Sequence, residues 1–356
     1  MNQDIVQILV YSFLTAFGIT FLAIPTIIRV AEAKNLYDEP SIRKSHSKKI
    51  PTLGGIGIFG GVMFAITFWT NFTECAHLQY IIAAMTVISF IGIKDDLTGL
   101  SAFKKFVGQI VAATILVVWG NIRITYMFGI FGIGELHPII SIIFSILVIL
   151  VIINSFNMID GINGLSASFG IISSATFATW FVLAGDYQHA IMAVALIGSL
   201  LAFLRFNVTP AKIFMGDTGS MLLGLILSVF ALEFIQINGH FIHPYAIKSA
   251  PVIAIATLFI PLFDLFRVFA IRILRGRSPF KPDRNHLHHI LLYLGFSHNF
   301  STFILSIFAI LLIVIAFILQ NIGTYSLGFL LLIITTIFAV LISYLAKRKR
   351  LKESIK

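Results

Sequence analysis

Long apolar runs follow one another along almost the whole chain, separated only by short polar segments. A helix needs about 20 apolar residues to cross the hydrocarbon core of a bilayer. Eleven runs approach that length, at 5–30, 52–71, 78–94, 105–120, 137–155, 165–184, 189–206, 218–237, 250–274, 301–320 and 324–346. They lack the period-two alternation of barrel strands, so the sequence predicts an all-α, polytopic membrane protein of about eleven spans.

Composition excludes a soluble domain. The chain is 58% hydrophobic and only 11% charged, whereas soluble domains carry about 25% charge. Residues 1–346 are predicted to form a single integral membrane domain, and residues 347–356 a basic cytoplasmic tail. Asp4 stands where a signal peptide would be basic, so the first run is interpreted as a span. The single cysteine, Cys75, excludes an internal disulfide and a CxxC metal site, and is interpreted as a small apolar residue near a loop.

The basic residues predict the orientation. Of the 25 lysines and arginines, 23 fall on one set of connections, and only Arg123 and Lys248 fall on the other. The positive-inside rule makes the basic face cytoplasmic, with the N-terminus outside and the C-terminus inside. The net charge of +10 is therefore explained by topology and by attraction to anionic inner-leaflet lipid, not by nucleic acid binding.

Five polar segments lie on the predicted cytoplasmic boundary, and the outer loops carry nothing comparable. They are KSHSKKIPTLGG (44–55), the Asp95–Asp96 pair, NSFNMIDGINGL (154–165), FMGDTGS (214–220) and PFKPDRNHLHHIL (279–291). A secondary transporter would place such groups near the bilayer midplane. A surface location favours an enzyme with one soluble and one lipid substrate, and a multispan transporter of nucleotide sugar or lipid is the alternative.

The acidic and amide segments offer oxygen ligands. Asp95 and Asp96 can aim two carboxylates at one cation, or can be solvated charges at a helix end. Asn154, Asn157, Asp160 and Asn163 recur every three residues and favour metal or sugar binding over a plain turn. Asp217 lies between glycines before an apolar run, so it can cap a helix or take part in catalysis.

The basic segments favour the binding of an anionic ligand. His286, His288 and His289 follow Asp283 and Arg284 in a positively charged loop, which favours a pyrophosphate over zinc. Lys44 and His46 also suit anion contact, although positive-inside topology explains most of the lysines there. Within the ninth run, Asp264 and Arg267 are three residues apart and can pair on one helix face.

Together and in this order, the five segments resemble the polyprenyl-phosphate N-acetylhexosamine-1-phosphate transferases, within the glycosyltransferase 4 and MraY-like superfamily. The resemblance covers nearly the whole chain and favours the WecA/TagO type, which starts O-antigen, enterobacterial common antigen or teichoic acid lipids. The peptidoglycan member, MraY, carries three consecutive histidines where this chain reads HLHH. Transfer of phospho-MurNAc-pentapeptide is therefore the alternative within the family.

The resemblance implies a reaction and its partners. Sugar 1-phosphate, with GlcNAc as the default, moves from a UDP-N-acetylhexosamine to undecaprenyl phosphate, and UMP leaves. Mg²⁺ is the implied cofactor, with Mn²⁺ as an alternative. The implied location is the bacterial inner membrane, with the active site facing the cytoplasm. The resemblance leaves open whether the protein forms a homodimer.

The resemblance also implies site residues. Asp95, Asp96, Asp217 and Asp160 are the implied catalytic residues, and Asp217 with Asn157 the implied metal ligands. The implied substrate contacts are Lys44, His46, Lys105, Asn154, Asn157, Asn163, Asp283, Arg284, His286, His288 and His289. The family often has an aspartate where this chain has Asn163, which weakens any role that needs a charge there. Direct attack by the lipid phosphate is the preferred route, and a covalent phospho-aspartate at Asp217 is the rival.

Overall fold

The computed structural model describes residues 3–37, 50–73, 75, 77–240, 244–278 and 285–354. Within these ranges the chain forms 13 α-helices and no β-strand. The helices are α1 (Gln3–Ala33), α2 (Gly54–Trp69), α3 (Leu78–Thr98), α4 (Ala102–Thr114), α5 (Pro138–Ile159), α6 (Leu165–Ala184), α7 (Tyr187–Asn207), α8 (Gly216–His240), α9 (Ala250–Thr257), α10 (Phe259–Leu274), α11 (Leu287–Leu294), α12 (His298–Ile318) and α13 (Thr324–Ser354). A π-helical turn, Ile115–Trp119, extends α4.

Every predicted apolar run falls on one of these helices or on a pair of them. In the described part of the chain, eight helices are long and apolar enough to cross a membrane, or nine if α9 and α10 together make one span. Helix α2 is apolar but has only 16 residues. The all-helical, multi-pass architecture is therefore confirmed, and the count of eleven crossings stays a prediction.

The ninth predicted span, 250–274, is not a continuous helix. The chain breaks between Thr257 and Phe259, and the axis turns by 80°. Pro261 gives the physical reason. It has no N–H to donate to the carbonyl of Thr257, and its ring would clash with that carbonyl in an unbroken helix.

Helix α8 lies at the centre of the molecule, since 89% of its apolar window is buried and α2, α3, α5 and α6 all pack against it. Two glycines allow neighbouring backbones to touch it. A Cβ on Gly92 of α3 would lie 2.3 Å from Thr218 Cα, and one on Gly55 of α2 would lie 2.1 Å from Gly219 N. Small residues at such contacts let membrane helices approach closely.

The starts of α2 and α8 are joined by backbone hydrogen bonds. Gly54 N and Gly55 N donate to Phe214 O and Met215 O, both at 2.9 Å, and Phe214 N donates to Pro51 O at 2.8 Å. The described end of the first polar segment therefore lies directly against the FMGDTGS segment.

Helix α13 continues through the predicted basic tail as far as Ser354. There Lys349 Nζ donates to Tyr293 O of α11 at 2.9 Å, and the guanidinium of Arg350 lies 4.7 Å from the centre of the Tyr293 ring. The tail residues that the structure describes are thus helical and contact α11.

Candidate functional site

Lys105 brings together two aspartates that lie far apart in the chain. Its Nζ is 2.6 Å from Asp95 Oδ2 at the end of α3 and 2.7 Å from Asp217 Oδ2 in the first turn of α8. An ammonium group between two carboxylates offsets their mutual repulsion. Of the paired charges at the end of α3, Asp95 is therefore compensated by a lysine from the next helix.

A tight reversal between α3 and α4 places that lysine. Gly99 ends α3 with a φ of +68°, a conformation that favours glycine. Ser101 then caps α4, its hydroxyl accepting a hydrogen bond from Lys104 N. The turn is short, so Lys105 in the first turn of α4 lies beside Asp95 in the last turn of α3.

Asp96 binds the N-terminus of α8. Its carboxylate accepts hydrogen bonds from Asp217 N at 2.8 Å, Thr218 N at 3.0 Å and Thr218 Oγ1 at 2.5 Å. A carboxylate from a neighbouring helix thus satisfies the free amides of α8 and interacts favourably with its dipole. Of the two interpretations of Asp217, helix cap or site residue, the cap role belongs to Asp96, and the Asp217 side chain faces Lys105.

Asn157 approaches Asp217 from α5. Its Nδ2 donates to Asp217 Oδ1 and, at 3.0 Å, to Ser220 Oγ. Asn154, one turn earlier, donates instead to Gln109 Oε1 of α4 at 2.8 Å. Asn157 therefore belongs to the carboxylate cluster, whereas Asn154 joins α5 to α4 beside it.

Asp160 lies just past the end of α5, where the helix gives way to the turn 160–164. Burial, followed by repulsion from Asp217 and Asp96, raises the pKa of its carboxyl group to about 8. Asp160 is therefore close enough to the cluster for the charges of Asp217 and Asp96 to repel an ionised carboxylate there. A raised pKa favours the protonated form of Asp160 in the absence of a cation.

Asn163 lies outside the cluster. Its Nδ2 donates to Thr209 Oγ1 at 2.9 Å, and Thr302 Oγ1 donates to its carbonyl oxygen at 2.9 Å. It lines a separate groove of about 440 Å³ between α6, α7 and α12. The structure thus does not bring Asn163 to the aspartates.

The histidine segment is held by Asp264 of α10. Asp264 Oδ2 is 2.8 Å from His286 Nδ1, and Oδ1 accepts from Leu287 N at 3.1 Å and Arg267 Nη2 at 2.8 Å. The Asp264–Arg267 pair predicted from the sequence is confirmed. The role of Asp264 in holding His286 was not predicted, although an ionisable residue inside an apolar run is a signal that could have pointed to it.

His288 brings the histidine segment against the turn after α5. A Cβ on Gly161 would lie 2.3 Å from His288 Nε2, and the His288 ring centre is 5.5 Å from that of His286 and 4.2 Å from that of His289. Burial first, and then the neighbouring His289, hold the pKa of His288 well below its usual value. Within the described residues, both buried ring nitrogens of His288 lack a hydrogen-bond partner, and burial favours the neutral form of the imidazole.

Four predicted substrate contacts, Lys44, His46, Asp283 and Arg284, lie outside the described residues. Their contribution to the site stays a prediction.

The donor set suits a hard divalent cation. Carboxylate and amide oxygens, together with phosphate, are the groups that Mg²⁺ prefers, and Asp217 and Asn157 are in direct contact. The amide of Asn157 turns its oxygen toward the cluster by a simple flip. The Asp217 side chain is 32% exposed and that of Asp95 only 7%, so Asp217 is the carboxylate that can reach a ligand.

Comparison with known proteins finds a family and several relatives that this chain matches. Residues 78–235, which carry all four aspartates, match the family described as Glycosyl transferase family 4. The chain is 33% identical to the decaprenyl-phosphate N-acetylglucosaminephosphotransferase of Mycobacterium leprae, over 80% of this chain and 77% of that protein. It is 32% identical to the probable undecaprenyl-phosphate N-acetylglucosaminyl 1-phosphate transferase of Bacillus subtilis, over 96% and 93%. A third relative, the undecaprenyl-phosphate alpha-N-acetylglucosaminyl 1-phosphate transferase of Escherichia coli K12, is 29% identical over 80% and 76%.

Proposed function

Because the chain belongs to glycosyl transferase family 4, within the branch of polyprenyl-phosphate N-acetylglucosamine-1-phosphate transferases, we propose the following reaction for it. It transfers N-acetylhexosamine 1-phosphate, with GlcNAc 1-phosphate as the first choice, from a UDP-sugar to undecaprenyl phosphate and releases UMP. This reaction is the first membrane step of a cell-surface glycan pathway in bacteria.

One observation carries the proposal. Asp95, Lys105, Asn157 and Asp217 come from four different helices, yet their side chains make a continuous set of contacts around Asp217. A chain that only transported substrates would have no need for such a cluster at the helix ends. A cluster of carboxylates, an amide and an ammonium group suits phosphoryl transfer, in which charge neutralisation and positioning dominate catalysis.

The chemical step that we propose is a direct displacement. An oxygen of the lipid phosphate attacks the sugar-linked phosphorus of the UDP-sugar, a new P–O bond forms, and the bond to UMP breaks with its electron pair on UMP. A phosphomonoester has a second pKa near 6, so the nucleophile is largely dianionic at pH 7 and a general base is not compulsory. Asp95, whose two oxygens are held by Lys105 and by Leu100 N, serves in this scheme to position Lys105.

The contacts of Asp217 support the direct route over a covalent phospho-aspartate. One carboxylate oxygen is held by Lys105 at 2.7 Å and the other accepts from Asn157. An aspartate with both oxygens engaged suits the binding of a cation better than nucleophilic attack. Exchange of label between UDP-sugar and UMP in the absence of lipid phosphate would instead support the covalent route.

A magnesium ion fits this donor set, with Asp217 and Asn157 as its protein ligands. When bound, it would neutralise charge on the pyrophosphate as UMP leaves. Lys105 then holds Asp95 and Asp217 at a fixed separation and supplies a positive charge next to the phosphates. Asp96 acts differently, since its three hydrogen bonds to α8 hold Asp217 in place.

The histidine segment supports binding of the donor sugar nucleotide. His288 is neutral and buried against Gly161, so it offers a hydrogen bond to phosphate or sugar rather than a charge. His286 is oriented by Asp264, which leaves its second ring nitrogen for substrate or solvent.

The lipid substrate requires an apolar path that ends at the charged cluster. A groove of about 640 Å³ lies between α10 and α13, and its lining is mainly apolar but includes Arg267 and Lys347. Such a groove suits a polyprenyl chain with a phosphate head group. We place this end of the molecule at the inner leaflet, with eleven crossings, the N-terminus outside and the C-terminus in the cytoplasm, on the asymmetry of the basic residues.

The test is UMP release by the purified protein with undecaprenyl phosphate and Mg²⁺, across a panel of UDP-sugars. We expect release with UDP-GlcNAc or another UDP-N-acetylhexosamine, and only when both lipid phosphate and Mg²⁺ are present. Activity with UDP-MurNAc-pentapeptide alone would instead assign the MraY reaction. Uptake of nucleotide sugar into proteoliposomes without UMP release would overturn the proposal in favour of transport.

A further inference from the structure

A second cluster of chemically active side chains lies at the opposite end of α3, the helix that carries Asp95 and Asp96. Cys75 and His77 precede α3, and His189 lies in the first turn of α7. Helix α3 has 21 residues, so this cluster is about 30 Å from Asp95 at 1.5 Å per residue. The transfer reaction does not use it.

The three side chains converge. One thiol sulfur and one nitrogen from each imidazole lie within 4.8 Å of one another. The two imidazole rings are stacked, with their centres 5.8 Å apart. A thiolate and two imidazoles around one point are typical ligands of zinc, which binds sulfur at about 2.3 Å and nitrogen at about 2.0–2.1 Å.

His189 is oriented as a metal ligand would be. Its Nδ1 is 2.6 Å from Asp186 Oδ2, which settles which nitrogen points away from the carboxylate. The other nitrogen, Nε2, is buried and lacks a hydrogen-bond partner within the described residues, and the whole residue is only 3% exposed. A buried polar atom without a partner is destabilising, and a carboxylate on the far nitrogen is the usual arrangement behind a histidine that binds metal.

The surrounding charge also favours a cation. The carboxylates of Asp186 and Glu233 are close enough to Cys75 to act on it electrostatically. Glu233 of α8 is itself only 8% exposed. A divalent ion would displace the thiol proton, form a sulfur–metal bond and place positive charge between these carboxylates.

The loop that carries Cys75 is already held in position. Cys75 N donates to Asn71 O at 3.2 Å, and Asn71 N donates to Gln188 Oε1 at 3.1 Å. The loop between α2 and α3 is thus fastened to the start of α7, beside His189. Ligand atoms within 4.8 Å need to approach one another by at most about 1.5 Å to reach tetrahedral spacing.

We propose that Cys75, His77 and His189 bind one zinc-class divalent cation on the face opposite the aspartate cluster, with Asp186 orienting His189. The fourth position is left for water or an exogenous ligand. The ion joins the loop before α3 to α7. Its sulfur and nitrogen ligands distinguish the site from the oxygen-rich cluster around Asp217, which suits Mg²⁺.

The test uses Co²⁺ as the probe on the full-length, metal-stripped protein without a histidine tag, in detergent and with excess Mg²⁺. Cys75 is the only cysteine in the chain, so a thiolate-to-cobalt charge-transfer band can arise only from this residue. We expect that band to saturate at one equivalent of Co²⁺ and to disappear when Zn²⁺ is added. A protein that binds no Co²⁺, or binds it without the thiolate band, would overturn the proposal.

Variants distinguish the proposed metal ligands from nearby residues that do not bind the ion. Cys75→Ser should abolish the band, and Asp186→Asn should keep it while weakening affinity by about 10–100-fold, as expected for a residue behind a ligand. His137→Gln is the matched control, since this exposed outer-loop histidine lies at the start of α5, and it should bind Co²⁺ as the parent does. Zinc should also raise the melting temperature of the parent and not of Cys75→Ser. Equal zinc stabilisation in both proteins would overturn the assignment even if one variant folds poorly.

Discussion

Asp217 is the residue on which the proposed chemistry depends, because it is the exposed carboxylate of the cluster and both its oxygens have partners. Asp95 is nearly buried, and its Oδ1 accepts from Leu100 N at 2.6 Å. Asp96 is bound to backbone amides. Three aspartates that look equivalent in the sequence therefore have three different environments.

Asp217→Asn should reduce UMP release by at least about 10²-fold, the usual loss when one electrostatic contact to a transition state is removed. The amide keeps the shape of the side chain but loses the charge that attracts Lys105 and a metal ion. The measurement is the initial rate at saturating UDP-sugar and lipid phosphate. Glu135→Gln, at an exposed site between α4 and α5, is the control and should retain the parent rate. A full rate for Asp217→Asn would remove Asp217 as the metal ligand.

Asp160 should make stability depend on pH. Its folded-state pKa of about 8 lies above the ordinary value of 3.8, so the folded protein keeps a proton that the unfolded chain has lost. Stability should therefore fall as pH rises from about 4 to about 8 and then level off. Asp160→Asn cannot ionise and should lack this decline.

The measurement is the melting temperature in detergent between pH 5 and pH 9, with a chelator present so that no bound cation lowers the Asp160 pKa. The difference between Asp160→Asn and the parent should widen toward pH 8. Parallel curves for the two proteins would show that Asp160 is already ionised at neutral pH.

At the scale of helices, the chain after the break between α9 and α10 carries the histidine segment to the turn after α5. Helix α10 packs against α5 and carries Asp264, which holds His286 and the N-terminus of α11. The histidines thus depend on a carboxylate that is 22 residues earlier in the chain.

Asp264→Asn should raise the KM for the UDP-sugar and lower kcat/KM by about 10–100-fold, as is usual when a residue behind a ligand-binding histidine is changed. The amide is a poorer acceptor for His286 and loses its ion pair with Arg267. Steady-state kinetics at varied UDP-sugar are the measurement. Glu353→Gln is the control, because it weakens a contact to Tyr293 at the other end of α11 and should change kcat/KM by less than about twofold. An unchanged KM for Asp264→Asn would separate the histidines from the donor site.

Gly92→Ala should destabilise the protein by about 1–3 kcal/mol, the usual cost of overpacking. The new Cβ would meet the backbone of Thr218 at 2.3 Å, so α3 must move and Asp96 must leave α8. Gly60→Ala is the matched control, since a Cβ there meets nothing within 4 Å. The measurement is the melting temperature together with UMP release, and equal values for both variants would show that the contact between α3 and α8 can adjust.

Much of this arrangement is predictable from the sequence. Apolar runs and charge asymmetry act locally, so they predict where helices begin and end, and polar segments with glycines predict where the site lies. The capping of α8 by Asp96, the separate position of Asn163 and the support of His286 by Asp264 depend on which helices become neighbours. No local pattern encodes those contacts, and the break before Pro261 was missed because apolar composition continues through it.

At the scale of the whole molecule, the two clusters lie at opposite ends of α3, and we expect them to face opposite sides of a membrane. Introduced cysteines test this in a Cys75→Ser background with a membrane-impermeant maleimide. Glu135→Cys should react in intact cells, and Lys104→Cys only after permeabilisation, because the positive-inside rule places Lys104 in the cytoplasm. Labelling of Lys104→Cys in intact cells would reverse the orientation and place the aspartates outside.

The glycine contacts between α2, α3 and α8 leave no free space for sliding, since even a methyl group would overlap backbone atoms. The backbones of these three helices are therefore in direct contact, which supports the spacing of Asp95, Asp96 and Asp217. In the proposed reaction, closure around a sugar nucleotide would come from the other wall, where α10 and α11 meet the turn after α5. One half of the proposed catalytic centre is thus built on closely packed helices, and adaptation to different donors is expected in the half that carries the histidines.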